Sequence, residues 1–275
     1  MRKINYSLFI SDFDGTLVKR DKTISEEDKK TISNFIADGG AFAISTGRMP
    51  AGILSRAREL GLKGMVSCCQ GAIIVDIASG EPVLEGRIPY ETTYKIVKKM
   101  EEMGLHIHVY DLWEYYSNMD DVLLQFYENS VGAKAQVIAD RPLSEFIRER
   151  KLASYKVLAM VEPNKNDEVL QALSKEVFEG CGVTRSAEVL VEVVNLQYSK
   201  GTAVEFLADY YGVPIEKTVA IGDQRNDISM IERAGLGIAV KNADNALKEA
   251  ANYLSEYTNE ESAVAHAIEK FGYKS

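Results

Sequence analysis

The sequence predicts a doubly wound parallel α/β domain with a second α/β domain inserted into it. Short apolar runs alternate with amphipathic helical stretches, and three of those runs stop abruptly at polar or acidic groups. Between about residues 85 and 190 the pattern changes character before the β-α rhythm resumes. The core domain is therefore expected over residues 1–84 and 191–275, and the insertion over residues 85–190.

Leu8-Phe9-Ile10, following Ile4 and Tyr6, reads as a strand buried on both faces that ends at Ser11-Asp12-Phe13-Asp14-Gly15-Thr16. Alternation along extended backbone starts Asp12 and Asp14 on one side, and Gly15 lets the chain turn sharply after them. Ser25-Glu26-Glu27-Asp28 makes a capping box for a helix with Ile32, Phe35 and Ile36 on one face that stops at Gly39-Gly40. Ala41 to Ile44 is the next strand and ends at Ser45-Thr46-Gly47-Arg48. A helix from Pro50 to Leu60, a strand from Gly64 to Ser67, and a hairpin pairing Ala72 to Asp76 with Glu81 to Leu84 follow.

Within the insertion, helices are expected over Glu91 to Met103, Asp121 to Val131, a short stretch after Pro142, and Asp167 to Phe178. Strands are expected over Leu105 to Tyr110, Tyr155 to Val161, around Val183, and over Val189 to Val194. Such a mixture can cover a small antiparallel sheet. The first domain resumes with Ser199 as an N-cap, a helix through Ala203, Phe206, Leu207 and Tyr210, and a stop at Gly212 before Pro214. The strand Thr218 to Ile221 then breaks at Gly222-Asp223-Gln224-Arg225-Asn226-Asp227. A helix with Ile228 and Ile231, a strand Leu236 to Val240, and helices near Asn245 to Ala250 and Glu260 to Phe271 complete the alternation.

A formal net charge of -9 on 275 residues argues against nucleic acid or an anionic membrane as the main partner. Cys68, Cys69 and Cys181 provide neither a disulfide framework nor metal-ligand spacing, and no apolar stretch matches a bilayer-crossing helix or a signal peptide. A reducing, cytoplasmic setting is expected. His106 and His108 alternate on a strand with no cysteine at ligand spacing, so they read as structural.

In a parallel sheet the strand ends lie along one edge, so Asp12 and Asp14, then Thr46 with Gly47 and Arg48, then Asp223 with Asn226 and Asp227, are expected to converge. Each feature alone is ordinary: D-x-D-G suits an Asx turn, and Asn226 and Asp227 suit a helix cap. Together they crowd carboxylates that repel one another unless a divalent cation offsets the repulsion. Oxygen ligands from Asp12, Asp223 and Asp227 suit Mg²⁺, Thr46 offers a hydroxyl, and Lys200, at a helix start, could place an ammonium against a phosphate.

Asp-x-Asp-Gly-Thr, Thr-Gly-Arg, Ser-Lys-Gly and Gly-Asp-x-x-Asn-Asp, in this order, resemble the motifs of the haloacid dehalogenase-like phosphatase superfamily, in its Cof-type branch. The resemblance covers nearly the whole chain, with the insertion similar to that branch's large α/β cap. It implies a Rossmann-like core and Mg²⁺-dependent hydrolysis of a small phosphorylated metabolite, such as a sugar phosphate or a phosphorylated cofactor. It also implies Asp12 as the nucleophile that forms an aspartyl-phosphate, with Asp14 as acid and then base. Thr46, the Gly47 amide and Lys200 would hold phosphoryl oxygens, with Asn226 close to the phosphate and Arg48 toward the substrate. Asp12, the Asp14 carbonyl and Asp223 would ligate Mg²⁺, and Asp227 would orient its water shell.

Two departures stand near the expected joins: Gln70-Gly71-Ala72 where the branch has Asn-Gly-Ala, and Gln197-Tyr198 where it has Gly-Val. The competing expectations are a receiver-type signalling module that keeps its phosphoryl group, and a mutase or phosphotransferase that passes it to a second alcohol. A monomer or weak homodimer is expected.

Overall fold

Leu8–Ser11 forms a strand of four buried residues, and the main sheet is built around it. Its neighbours are Ala41–Ile44 on one side and Thr218–Gly222 on the other, followed outward by Leu236–Ala239 and a short edge strand, Tyr253–Leu254. All four pairings are parallel. Both faces of such a sheet are covered, which is why these strands are nearly continuous apolar runs rather than alternating ones. The computed structural model describes residues 2–274.

The helices around this sheet start and stop where the sequence chemistry requires. Ser25 Oγ accepts from the Asp28 amide at 2.9 Å to start Glu26–Ala37, and the buried Asp28 carboxylate accepts from the Ala265 amide at 2.8 Å in the last helix, Ala263–Phe271. Ser199 caps Lys200–Tyr211, and Gly212 ends that helix with a left-handed φ of 62°.

The chain divides into two compact units. The first carries the chain up to Thr46, then Leu54–Val83, then everything from Ser199 onward; the second carries Gly47–Ile53 and Leu84–Tyr198. The expected boundary at residues 190 and 191 is corrected, because the strand Leu190–Asn195 lies in the second unit's sheet between Cys181–Ala187 and Lys156–Met160. Val191 and Val193 point into that unit's apolar cluster, so burial commits the strand to the insertion.

That second sheet has six strands, in the order Cys181–Ala187, Leu190–Asn195, Lys156–Met160, His106–Tyr110, Tyr115–Ser117 and Ala135–Val137. Its pairings are antiparallel except the last. Ile107, Val109, Tyr116, Val157, Ala159, Val191 and Val193 join the apolar core with the helices Tyr90–Glu102, Leu143–Arg150 and Asn166–Ser174. The opposite parity carries His106, His108, Tyr110, Tyr115, Lys156 and Glu192, all buried. In the first unit, Met65–Cys68 does not extend the main ladder as a regular strand. It pairs antiparallel with Ile73–Asp76 in a separate three-stranded sheet and meets the main sheet through one bridge, Ser45 to Ser67.

Candidate active site

The parallel register builds the site. Ser11 lies opposite Ile221 on one side and Ile44 on the other, so Asp12, Gly222-Asp223 and Ser45-Thr46 leave the sheet side by side at its carboxyl edge. Asp12 extends the ladder by donating its amide to the Ile221 carbonyl at 2.9 Å. From that edge Asp12, Asp223 and Asp227 converge until one oxygen of each lies within 4.8 Å of the others, and all three residues are buried.

Lys200 lies between two of these carboxylates. Its ammonium bonds to Asp12 Oδ1 and, at 2.6 Å, to Asp227 Oδ1, with only 1% of its side chain exposed. It reaches them from the first residue of Lys200–Tyr211, which Gly71 and Gly201 allow to pack closely: a Cβ at Gly71 would strike the Ser199 carbonyl, and one at Gly201 would meet the Ser229 carbonyl at 2.6 Å. The other Asp227 oxygen accepts from the Asp223 and Gln224 amides at 2.9 and 3.0 Å, which fixes the turn. Asp223 is held by the Thr16 hydroxyl at 2.9 Å and Gln224 Nε2 at 2.9 Å. Gly15, at φ 85°, is required here because a Cβ would collide with the Asp223 carboxylate.

The electrostatics follow from burial. Desolvation pushes the Asp12 carboxyl well above the usual range; Lys200 opposes this, and Asp227 and Asp223 add to it. Burial, reinforced by Asp227, raises Asp223 to about 6. For Lys200, burial alone would lower the pKa, but the attraction of Asp12 and Asp227 outweighs it and the ammonium is held charged. Three carboxylates against one ammonium, with hard oxygen donors facing each other, form a donor set that fits Mg²⁺.

The remaining expected residues are placed as follows. Asp14 is 40% exposed at its side chain and lies 3.5 Å from the Lys22 ammonium. Thr46 is buried, its amide donating to the Ser67 carbonyl at 2.9 Å and its carbonyl accepting from the Gln70 amide at 3.1 Å. Asn226 Nδ2 donates to Gln70 Oε1 at 2.9 Å, while its buried Oδ1 has no hydrogen-bond partner. Gly47 and Arg48 belong to the second unit. There the Arg48 guanidinium bonds to the carbonyls of Ser130 at 3.0 Å and Val131 at 3.1 Å.

Two residues at the site were not singled out from sequence. Thr16 lies inside Asp-x-Asp-Gly-Thr, so the motif itself held the signal. Gln70, which departs from the Asn of the branch's motif, adopts a left-handed φ of 62° and joins Thr46 to Asn226.

The model of the haloacid dehalogenase-like hydrolase family matches residues 9–268. A Haemophilus influenzae protein named "Putative phosphatase" is 30% identical over 269 residues, covering 97% of this chain and 98% of that protein. The 5-amino-6-(5-phospho-D-ribitylamino)uracil phosphatase YitU of Bacillus subtilis is 27% identical over 269 residues, covering 96% of this chain and 97% of its own. Among solved structures, a haloacid dehalogenase-like hydrolase from Bacteroides thetaiotaomicron superposes with a TM-score of 0.84 at 29% identity, covering 96% of this chain and 99% of that one. With the family model spanning nearly its whole length and relatives named as phosphatases, the chain belongs to the haloacid dehalogenase-like hydrolases.

Proposed function

We propose that this chain is a Mg²⁺-dependent phosphoric monoester hydrolase that acts on a small phosphorylated metabolite through a phosphoryl group carried on Asp12. The observation that supports this most is the cluster of Asp12, Asp223 and Asp227 with the Lys200 ammonium between two of them. Asp12 attacks phosphorus as a carboxylate, and Lys200 favours that ionised form against the cost of burial. As the bond from phosphorus to the leaving oxygen breaks, Asp14 gives that oxygen a proton. Asp14, now a carboxylate, takes a proton from water, which attacks the same phosphorus and releases inorganic phosphate and free Asp12.

Lys200, the Thr46 hydroxyl and the Gly47 amide would hold the equatorial oxygens, where transition-state charge spreads. Asn226 would lie close to the same group. Asp12, the Asp14 carbonyl and Asp223 would hold Mg²⁺, with Asp227 in support; when bound, the ion neutralises phosphoryl charge and aligns the transferring group. The name of the Bacillus subtilis relative points to phosphorylated ribityl compounds as the substrate class to test first. The inserted unit, as the cap, would select the leaving group.

Hydrolysis of p-nitrophenyl phosphate with Mg²⁺, its loss in EDTA and in Asp12→Asn, and a transient phosphoprotein labile to hydroxylamine are the expected results. No turnover together with a long-lived phosphoprotein would favour the receiver-type reading. Incorporation of the phosphoryl group into an added alcohol rather than water would favour a transferase.

A further inference from the structure

Beyond Asp12 the chain turns back at once, and Asp14 stands on that turn. The Leu17 and Val18 amides both donate to the Phe13 carbonyl, at 3.1 and 2.9 Å, and Asp14 forms an isolated parallel bridge with Val18. Gly15, at φ 85°, has no side chain to restrain the peptide groups on either side of it. One of those groups carries the Asp14 carbonyl, so the direction of the Asp14 backbone depends on contacts from outside the turn.

Two asparagines from distant parts of the chain supply them. Asn242 Nδ2 donates to the Gly15 carbonyl at 2.9 Å, and Asn259 Nδ2 donates to the Val18 carbonyl at 2.8 Å. They are also joined to each other, because the Asn259 backbone amide donates to Asn242 Oδ1 at 3.0 Å. Asn242 thus donates through its nitrogen and accepts through its oxygen, and the two contacts fix which way its side-chain amide points. The brace is tied to the acidic cluster as well. On either side of Asn242, the Val240 amide donates to the Gly222 carbonyl at 3.1 Å and the Asp244 amide to the Asp223 carbonyl at 2.8 Å. The turn bearing Asp14 is therefore referenced to the turn that presents Asp223. All of these residues lie in the first unit.

Stability alone does not explain Asn242. Its bond to Gly15 is exposed, so water can replace it and folding gains little from it. Asn259 differs in being buried, so its loss removes an interior hydrogen bond from Val18.

We infer that Asn242 and Asn259 are positioning residues for Asp14: by holding the Gly15 and Val18 carbonyls they set the direction in which the Asp14 carboxyl meets the leaving oxygen. The inference rests on the phosphatase reading above and adds the two groups that aim its acid without touching substrate. In the step concerned an Asp12 oxygen bonds to phosphorus, the bond from phosphorus to the leaving oxygen breaks, and the Asp14 proton passes to that oxygen. A basic leaving group needs this proton. p-Nitrophenolate, which is stable as an anion, needs it far less, so a misdirected Asp14 is felt unequally by the two kinds of substrate.

The test uses the full chain with Mg²⁺ and compares wild type, Asn242→Ala and Asn259→Ala on phenyl phosphate and on p-nitrophenyl phosphate, which differ chiefly in the basicity of the phenolate released. The readouts are kcat/KM, which covers the steps up to departure of the leaving group, and the melting temperature. In folded variants the loss in kcat/KM should be about tenfold greater for phenyl phosphate than for p-nitrophenyl phosphate, a part of the roughly 10²–10⁴-fold that a positioned acid supplies. An equal fold-loss on both substrates, or none on either, overturns the inference whether or not the melting temperature falls, and leaves the phosphatase reading intact. If Asn259→Ala does not fold, Asn242→Ala decides, because Asn242 is exposed. A wild type that hydrolyses p-nitrophenyl phosphate but not phenyl phosphate also overturns the inference, since no aimed acid then serves a basic leaving group. No turnover of either substrate by the wild type overturns the phosphatase reading and this inference with it.

Discussion

Lys200 and Asp227 are joined by a 2.6 Å ion pair, although one begins the helix that follows the insertion and the other ends the turn after the strand Thr218–Gly222. Neither side chain exceeds 1% exposure. Because the same ammonium also holds Asp12, it is the only protein cation that contacts this acidic cluster among the described residues.

Replacing Lys200 by Met removes the positive charge and leaves two buried carboxylates uncompensated. Breaking a buried pair in this way costs ~3–5 kcal/mol, and losing a group that stabilises transition-state charge costs about 10²–10³ in kcat. Lys200→Met in EDTA is therefore expected to melt well below wild type at neutral pH, with the gap narrowing in acid as the carboxyls protonate. Wild-type melting at neutral pH would count against the role of the pair.

Metal and pH should act together on stability. The folded Asp223 carboxyl is raised to about 6, first by burial and then by Asp227, and Asp12 is raised in the same sense. An unfolded Asp titrates near about 3.9, so the folded state holds these protons more tightly. Without metal the protein accordingly loses stability as pH rises through that window, and the penalty is complete above it. A bound cation relieves the penalty. The rise in melting temperature from EDTA to MgCl₂ is expected to be large at about pH 7.5 and small at about pH 5, where protons occupy the ligands. An equal rise at both values would exclude these carboxylates as the metal site.

Thr16 tests the support of that site. Its hydroxyl donates to Asp223 Oδ1 at 2.9 Å, and both residues are buried. Groups that orient a metal ligand typically contribute 10–100-fold in affinity or activity. Thr16→Val keeps the shape and is expected to raise the Mg²⁺ concentration for half-maximal activity by about tenfold, with kcat at saturating Mg²⁺ less affected. A shift in kcat alone would mean that Thr16 acts on the phosphoryl group instead.

These groups were visible in the sequence because parallel strands deliver their ends to one edge, so Asp12, Thr46 and Asp223 could be placed from three apolar runs that stop at polar residues. Lys200 was visible only by position, after the insertion and beside the cap at Ser199. The contact from Asn226 to Gln70 was not visible, because it depends on a left-handed turn at Cys69-Gln70 that non-glycine residues rarely adopt. In the insertion, the strands Tyr115–Ser117 and Ala135–Val137 were too short to leave a period. The strand Leu190–Asn195 is legible within the insertion, but the expected boundary at residue 190 cuts through it. Val191 and Val193 alternating with Glu192 satisfy any half-buried sheet, so only packing decides.

His108 tests the insertion on its own. The expectation that His106 and His108 are structural is consistent with their contacts: His106 Nε2 lies 3.0 Å from Ser117 Oγ and 3.2 Å from His108 Nε2. Burial first, then His106 and Lys156, lower the His108 pKa well below its ordinary value. The folded state therefore keeps the ring neutral while the unfolded chain takes up a proton below about pH 6.5. The stability linked to this group is complete above that pH and is lost as pH falls through it. His108→Phe keeps an aromatic ring among Tyr110, Tyr115 and Tyr127 and removes the titration. Its melting temperature should fall less steeply than that of wild type between about pH 7 and about pH 5, even if the loss of the His106 contact makes it less stable at about pH 8. Parallel melting curves across that range would mean that His108 is protonated in the folded protein, and that the aromatic face of the second sheet tolerates a charge beside Lys156.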